Sequence, residues 1–229
     1  MKMIGLLGGM SWESTELYYR CINQETKRAL GDLHSAPIAM VSVDFQVIEN
    51  LQRQGDWAAA GSMLAEQACR VEKSGADFLL ICTNTMHKIA ADIEAAIEIP
   101  LLHIADATAE RIRQAGITTV GLLGTQFTME QEFYRGRLEQ QGLKVLIPDE
   151  ADRKIVHRVI YEELCLGDIR QDSRAEYLRI IEQLHAAGAE GIIQGCTEIG
   201  MLVQQQHTSV PLFDTTVIHA QAAVAEALS

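Results

Sequence analysis

The sequence predicts an α/β protein built from two similar parallel-sheet α/β domains, on three observations. Short apolar runs alternate with helical patterns along all 229 residues. Apolar residues make up 48% of the chain but aromatics only 5%, a balance suited to aliphatic strands buried under helices rather than to a β-sandwich. The order of motifs in the first half also returns in the second. At this length one large or two small domains are expected.

The strand candidates are legible in order. The first half offers "MIGLLGG", "APIAMVSVD", "DFLLICTN" and "PLLHIAD"; the second offers "TVGLLGT", "KVLIP", "GIIQGCT" and "VPLFDT". Helical patterns separate them, so the strands are expected to run parallel with right-handed crossovers. Thr128 with Gln131, and Ser173 with Glu176, have the spacing of capping boxes. Gly167 and Gly188 read as helix stops.

Gly8 corresponds to Gly124, Thr83 to Cys196 and Pro100 to Pro211, at offsets of 116, 113 and 111 residues. Two of only four prolines fall in register, which points to a duplicated unit. The pattern leaves the last helix able to close either half. The expected division is residues 1–108 with 213–229, and residues 109–212.

Nineteen Lys and Arg against 31 Asp and Glu give a net charge of −12, and no basic run interrupts it. Nucleic acid and anionic membrane are therefore not expected partners. A small carboxylate is still admissible, because backbone N–H groups and helix N-termini supply local positive potential. The five cysteines, Cys21, Cys69, Cys82, Cys165 and Cys196, are odd in number and contain no C-x-x-C. Reduced thiols and a cytoplasmic location are expected, without a disulfide frame or a zinc site. The N-terminal "MKMIGLLGGMSWES" contains no long apolar stretch, and neither a signal peptide nor a membrane span is read from it.

In parallel sheets the strand C-terminal ends and the turns after them form the binding edge. Gly8 to Ser11, Thr83 to Thr85, Thr125 to Thr128 and Cys196 to Glu198 all fall at such edges. Cys196 follows an apolar strand and precedes Thr197, so its thiol is expected near a helix N-terminus, where thiolate is favoured. Cys82 lies one residue before its edge position and is expected to point into the core, since side chains alternate along a strand. Cys21, Cys69 and Cys165 read as packing residues within helical patterns. None of His87, His103, His157 and His219 has a neighbour at metal-ligand spacing, and His87 reads as a residue held near backbone carbonyls. "GLLGGMS" and "GLLGT" lack the complete nucleotide-binding glycine patterns.

Together, "GLLGGMSWEST", "VDF", "CTNTMHK", "HIADAT", "LLGTQFTM", "IYEELCLG" and "GCTEI" resemble the cofactor-independent aspartate/glutamate racemases from end to end of the chain. That resemblance implies two α/β domains related by pseudo-twofold symmetry, an active site between them, a homodimer, and neither cofactor nor metal. It also implies two cysteines acting on opposite faces of the substrate α-carbon. Here Thr83 stands at the first cysteine position and Cys196 at the second, which resembles the branch specific for L-aspartate and L-glutamate. The implied roles are Cys196 as the L-face base and Thr83 as the opposite acid or relay. Met10, Gln52, Asn84, Thr85, Thr197, Glu198 and Thr125 are implied to surround an amino-acid substrate.

A lysine of many relatives is absent near Cys165, which leaves the choice between aspartate and glutamate open; Arg53 and Lys88 are the candidate replacements. A lone thiol also suits arylmalonate decarboxylases, which share the fold, whereas maleate isomerases keep two. A carboxylate-binding protein that lost one base is the remaining alternative.

Overall fold

The structure is a computed structural model that describes residues 1–229. In order along the chain it contains β1 (Ile4–Gly8), α1 (Trp12–Leu30), β2 (Ile38–Ser42), α2 (Phe45–Gln54), α3 (Trp57–Lys73), β3 (Phe78–Ile81), α4 (Ala90–Glu94) and α5 (Ile104–Gln114). Then follow β4 (Thr119–Gly124), α6 (Gln126–Glu130), α7 (Glu132–Gln140), β5 (Lys144–Leu146), α8 (Glu150–Glu162) and α9 (Gln171–Ala186). The last elements are β6 (Gly191–Gly195), α10 (Ile199–Leu202), β7 (Leu212–Asp214) and α11 (Thr215–Leu228). The chain forms two compact units, Met1–Ile104 with His219–Ser229, and Ala105–Ile218. These divide at 104/105 and 218/219, near the joins expected at 108/109 and 212/213.

The first unit holds a parallel sheet in the order β2-β1-β3. Every residue of β1 and β3 is buried, as their unbroken apolar runs require of strands covered on both faces. The alternation of side chains divides the core cleanly. Leu7, Leu79 and Ile81 pack with Ile48 of α2 and with Ala60, Leu64 and Ala68 of α3. Ile4, Leu6, Phe78, Leu80 and Cys82 pack with Tyr18 and Ile22 of α1 and with Ala220, Ala223 and Val224 of α11. Cys82 is thus a core residue, as its strand parity predicts, and burial pushes its thiol far above the usual range.

The second unit holds a parallel sheet in the order β5-β4-β6-β7. Buried residues of β4 and β6 (Val120, Leu122, Leu123, Ile192 and Ile193) are accompanied by buried Val156, Val159 and Ile160 of α8 and Ile180, Ile181 and Leu184 of α9. The two sheets have the same topology: β1, β2 and β3 take the places of β4, β5 and β6. The repeat read from the sequence is therefore a repeat of structure.

Three sequence expectations need correction. "PLLHIAD" is not a strand: it occupies the place of β7 but contributes only one parallel bridge, Leu79 to Leu101, before α5 begins at Ile104. Asp106, an acidic residue in the first turn of α5, suits a helix N-terminus. Thr128 is not an N-cap; Thr125 caps α6 by accepting from the Thr128 N–H. Ser173 lies inside α9, and its hydroxyl donates to buried Glu163 at 2.5 Å. Gly167 does end a turn, at φ 73°, and Gly188 follows α9 at φ 106°.

Candidate active site

In the first unit the turn after β1 is fixed by α1. The Gly9 N–H donates to Thr15 Oγ1 at 2.8 Å, and the same hydroxyl donates to the Ser11 carbonyl at 2.8 Å. Gly9 sits at φ 91°, where a Cβ would fall on the Val43 backbone, so only glycine fits this close approach. Ser11 caps α1, and Ser14 Oγ donates to the Cys82 carbonyl at 3.0 Å, tying the start of α1 to the end of β3.

Thr83, Asn84 and Thr85 follow β3 at the sheet's C-terminal edge and lead into a 3-10 turn over Thr85–Ile89. All three are largely buried. Gln52 of α2 is buried too, its amide donating to Met86 Sδ at 2.9 Å, and Met10 joins the same core cluster as Met86. The polar run around Gln52 suggests a surface position; the structure turns this one residue inward. Lys88 lies over the Trp57 ring at 3.8 Å, while exposed Arg53 donates to Asn50 at 2.9 Å. Each of these two cations therefore already has a partner near its own helix or turn.

In the second unit Gly124 and Gly195 are paired between β4 and β6. A Cβ on either glycine would press into the backbone of the opposite strand at 2.8–2.9 Å, so this pairing needs both to be bare. Thr125 and Cys196 are the residues immediately after that pair. Cys196 Sγ donates to Glu198 Oε2 at 2.9 Å, and Thr197 Oγ1 donates to the same oxygen at 2.6 Å. Cys165 Sγ approaches the other oxygen, Oε1, at 4.0 Å. Cys165 lies in a 3-10 turn rather than a helix.

The expectation of a favoured thiolate at Cys196 is overturned. Burial raises its pKa well above the usual range, and the Glu198 carboxylate raises it further. The helix that follows, α10, has only four residues and offers little opposing dipole. Both effects favour the thiol over the thiolate at rest. Sequence reading missed this pairing, although an acidic residue two positions after a strand-end cysteine is its visible signal.

The sequence candidates thus fall into two clusters. Met10, Gln52, Thr83, Asn84 and Thr85 belong to the first unit, and Thr125, Cys196, Thr197 and Glu198 to the second. The histidines form no metal set: no group of three or more His, Cys, Asp or Glu is arranged to hold an ion. No helix is long and apolar enough to cross a membrane.

Two parallel sheets of matching topology, with a thiol and hydroxyls at their C-terminal edges, are the architecture of the Asp/Glu racemase structures. The chain belongs to the Asp/Glu/Hydantoin racemase family, whose model matches residues 7–223. A Yersinia pestis chain of known structure, itself named for the Asp/Glu racemases, is 59% identical over the full length of both chains, with a TM-score of 0.93. An aspartate racemase homologue from Pyrococcus horikoshii OT3 is 32% identical, again over both whole chains, with a TM-score of 0.87. The broad-specificity amino-acid racemase RacX of Bacillus subtilis is 23% identical over 99% of each chain.

Proposed function

We propose that this protein racemises acidic amino acids, acting on L-aspartate or L-glutamate without pyridoxal phosphate or metal, with Cys196 as the L-face base. The observation that carries the reading is the 2.9 Å contact from Cys196 Sγ to Glu198 Oε2 at the end of β6, in a chain of this family. A raised thiol is a poor nucleophile at rest but a strong base once deprotonated, and a carboxylate within hydrogen-bond reach supplies the acceptor. In the proposed sequence the Cys196 proton passes to Glu198, and the thiolate removes the α-proton of the L-amino acid. The thiol is restored by the α-proton it takes, Thr83 returns a proton from the opposite face, and the proton parked on Glu198 passes through water to Thr83, so that all three groups regain their resting states.

An alkyl hydroxyl is a far weaker base than a thiol, because almost no alkoxide exists at neutral pH. Thr83 therefore acts as donor or as relay for water, and its step is the slower one. The equilibrium constant of racemisation is near one, so neither direction can be favoured in kcat/KM. Preference for L-substrates then means slow exchange at the D-face, different saturation by the two enantiomers, or exchange at the L-face that outruns inversion; a weak Thr83 donor favours the last.

The Glu198 carboxylate oxygens accept from the Cys196 thiol and the Thr197 hydroxyl, so this side chain suits the thiol proton or the substrate ammonium group, not its carboxylate. Asn84 and Thr85 supply amide and hydroxyl groups of the kind a carboxylate needs, with Met10, Gln52, Thr125 and Thr197 as further contacts. Cys196→Ser tests the assignment. It should reduce conversion of L-aspartate and L-glutamate, followed by chiral chromatography, by roughly 10³-fold or more, the scale of a lost acid–base group. Full activity in Cys196→Ser would end the assignment, and CO₂ release from aryl malonates with inert aspartate would replace it with the decarboxylase reading.

A further inference from the structure

We propose that His87 is a positioning residue that fixes Thr83 for the second proton transfer without touching substrate. The proposal rests on the reading of Thr83 given above. His87 is 3% exposed, and Nδ1 lies 2.8 Å from the Thr83 carbonyl oxygen. A carbonyl only accepts, so Nδ1 carries the proton. On the other side of the ring, the Ile104 N–H donates to Nε2 at 3.4 Å, and an amide N–H needs a lone pair there. Both contacts demand the same neutral tautomer.

The ring is also braced. His103 packs edge-on against it at 4.4 Å between ring centroids, and the His219 ring lies 6.2 Å away. His219 is itself fixed, with Nε2 donating to the Leu102 carbonyl at 2.7 Å and Nδ1 accepting from Tyr18 Oη at 2.8 Å. His87 thereby ties the carbonyl of Thr83 to Ile104, the first residue of α5, through a ring that has little freedom to tilt.

The Thr83 carbonyl direction sets ψ at Thr83, and a β-branched side chain couples its χ1 rotamer to the local backbone. Holding the carbonyl therefore holds the hydroxyl. A thiolate tolerates imperfect aim better than a weakly acidic alcohol does, because proton transfer from the alcohol depends on alignment for its rate. The inference is specific: losing the His87 donor should harm inversion and spare L-face exchange.

Two substitutions separate this role from simple packing. The amide nitrogen of Asn reaches the place of Nδ1 and keeps the donor to Thr83, whereas Gln extends to the place of Nε2 and gives that donor up. His87→Asn and His87→Gln are each incubated with L-aspartate and L-glutamate in D₂O, with α-proton loss, D-product formation and the melting temperature followed together. His87→Gln should keep L-face exchange within about threefold of wild type and lose inversion by on the order of tenfold or more, the cost of misaiming a donor. His87→Asn should restore the wild-type ratio of inversion to exchange.

Equal loss of both rates in folded His87→Gln, or an unchanged ratio there, would overturn the proposal. A changed ratio in folded His87→Asn would do the same, so the test stands even if Gln does not fold. Wild-type protein that shows neither exchange nor inversion would take the proposal down with the racemase reading, a result distinct from all of these.

Discussion

Cys196 and Glu198 sit 2.9 Å apart within one short turn, and the chemistry of each depends on the other. Removing the carboxylate charge lowers the thiol pKa, because burial and then the adjacent Glu198 carboxylate hold it up. In Glu198→Gln, alkylation of Cys196 by iodoacetamide at pH 7.5 should therefore be faster than in wild type, while L-face exchange should be slower by about 10²-fold. The two effects have opposite signs because alkylation draws on a slow equilibrium with bulk water, whereas each turnover needs a local proton acceptor. Slower alkylation, or unchanged exchange, would separate Glu198 from the thiol's chemistry. At this scale the sequence identified which residues stand at the strand ends, since strand-end position follows from pattern. It did not reveal the protonation state of Cys196, which is set by burial and by a side chain two residues away.

Among the elements, α6 shows how a local signal misleads by one turn. The spacing of Thr128 and Gln131 matches a capping box, yet Thr125 directly follows β4 and reaches the Thr128 N–H first. Thr125→Ala should cost about 1 kcal/mol of stability in urea unfolding, the usual value of a lost cap. An equal cost from Thr128→Ala alone, with Thr125→Ala neutral, would restore the original reading. The segment "PLLHIAD" teaches a similar lesson. Its apolar run matches that of "VPLFDT" by sequence, but a single bridge at Leu101 is all that pairs before α5. Strands β1, β3, β4 and β6 were legible because full burial on both faces leaves unbroken apolar runs. Gln52 was not, because one inward-facing amide in a polar helix has no periodic signature.

For the whole molecule, duplication was the most legible feature, since two sheets with one topology leave matched glycines and prolines at near-constant offsets. Stability should carry one mark of the first unit's interior. His219, on α11 and buried against α1, has its pKa pushed from 6.5 down to about 4 by burial. The unfolded chain takes up this proton near pH 6.5, while the folded chain resists it until about pH 4. The folded state therefore loses stability as pH falls through that window, by on the order of 3 kcal/mol from this residue. Equilibrium unfolding between pH 7 and pH 4 should show a shallower acid decline in His219→Gln than in wild type. An identical slope would place the acid sensitivity elsewhere.

One-sided proton exchange at the α-carbon can be followed by NMR in D₂O. L- and D-aspartate and L- and D-glutamate are each incubated with the protein, the α-proton signal is followed, and the enantiomers are resolved in parallel. The α-proton of an L-substrate should be lost faster than any D-product appears, and this loss should be absent in Cys196→Ser. Retention of the α-proton in all four amino acids, or exchange that persists in Cys196→Ser, would contradict one-sided exchange through Cys196.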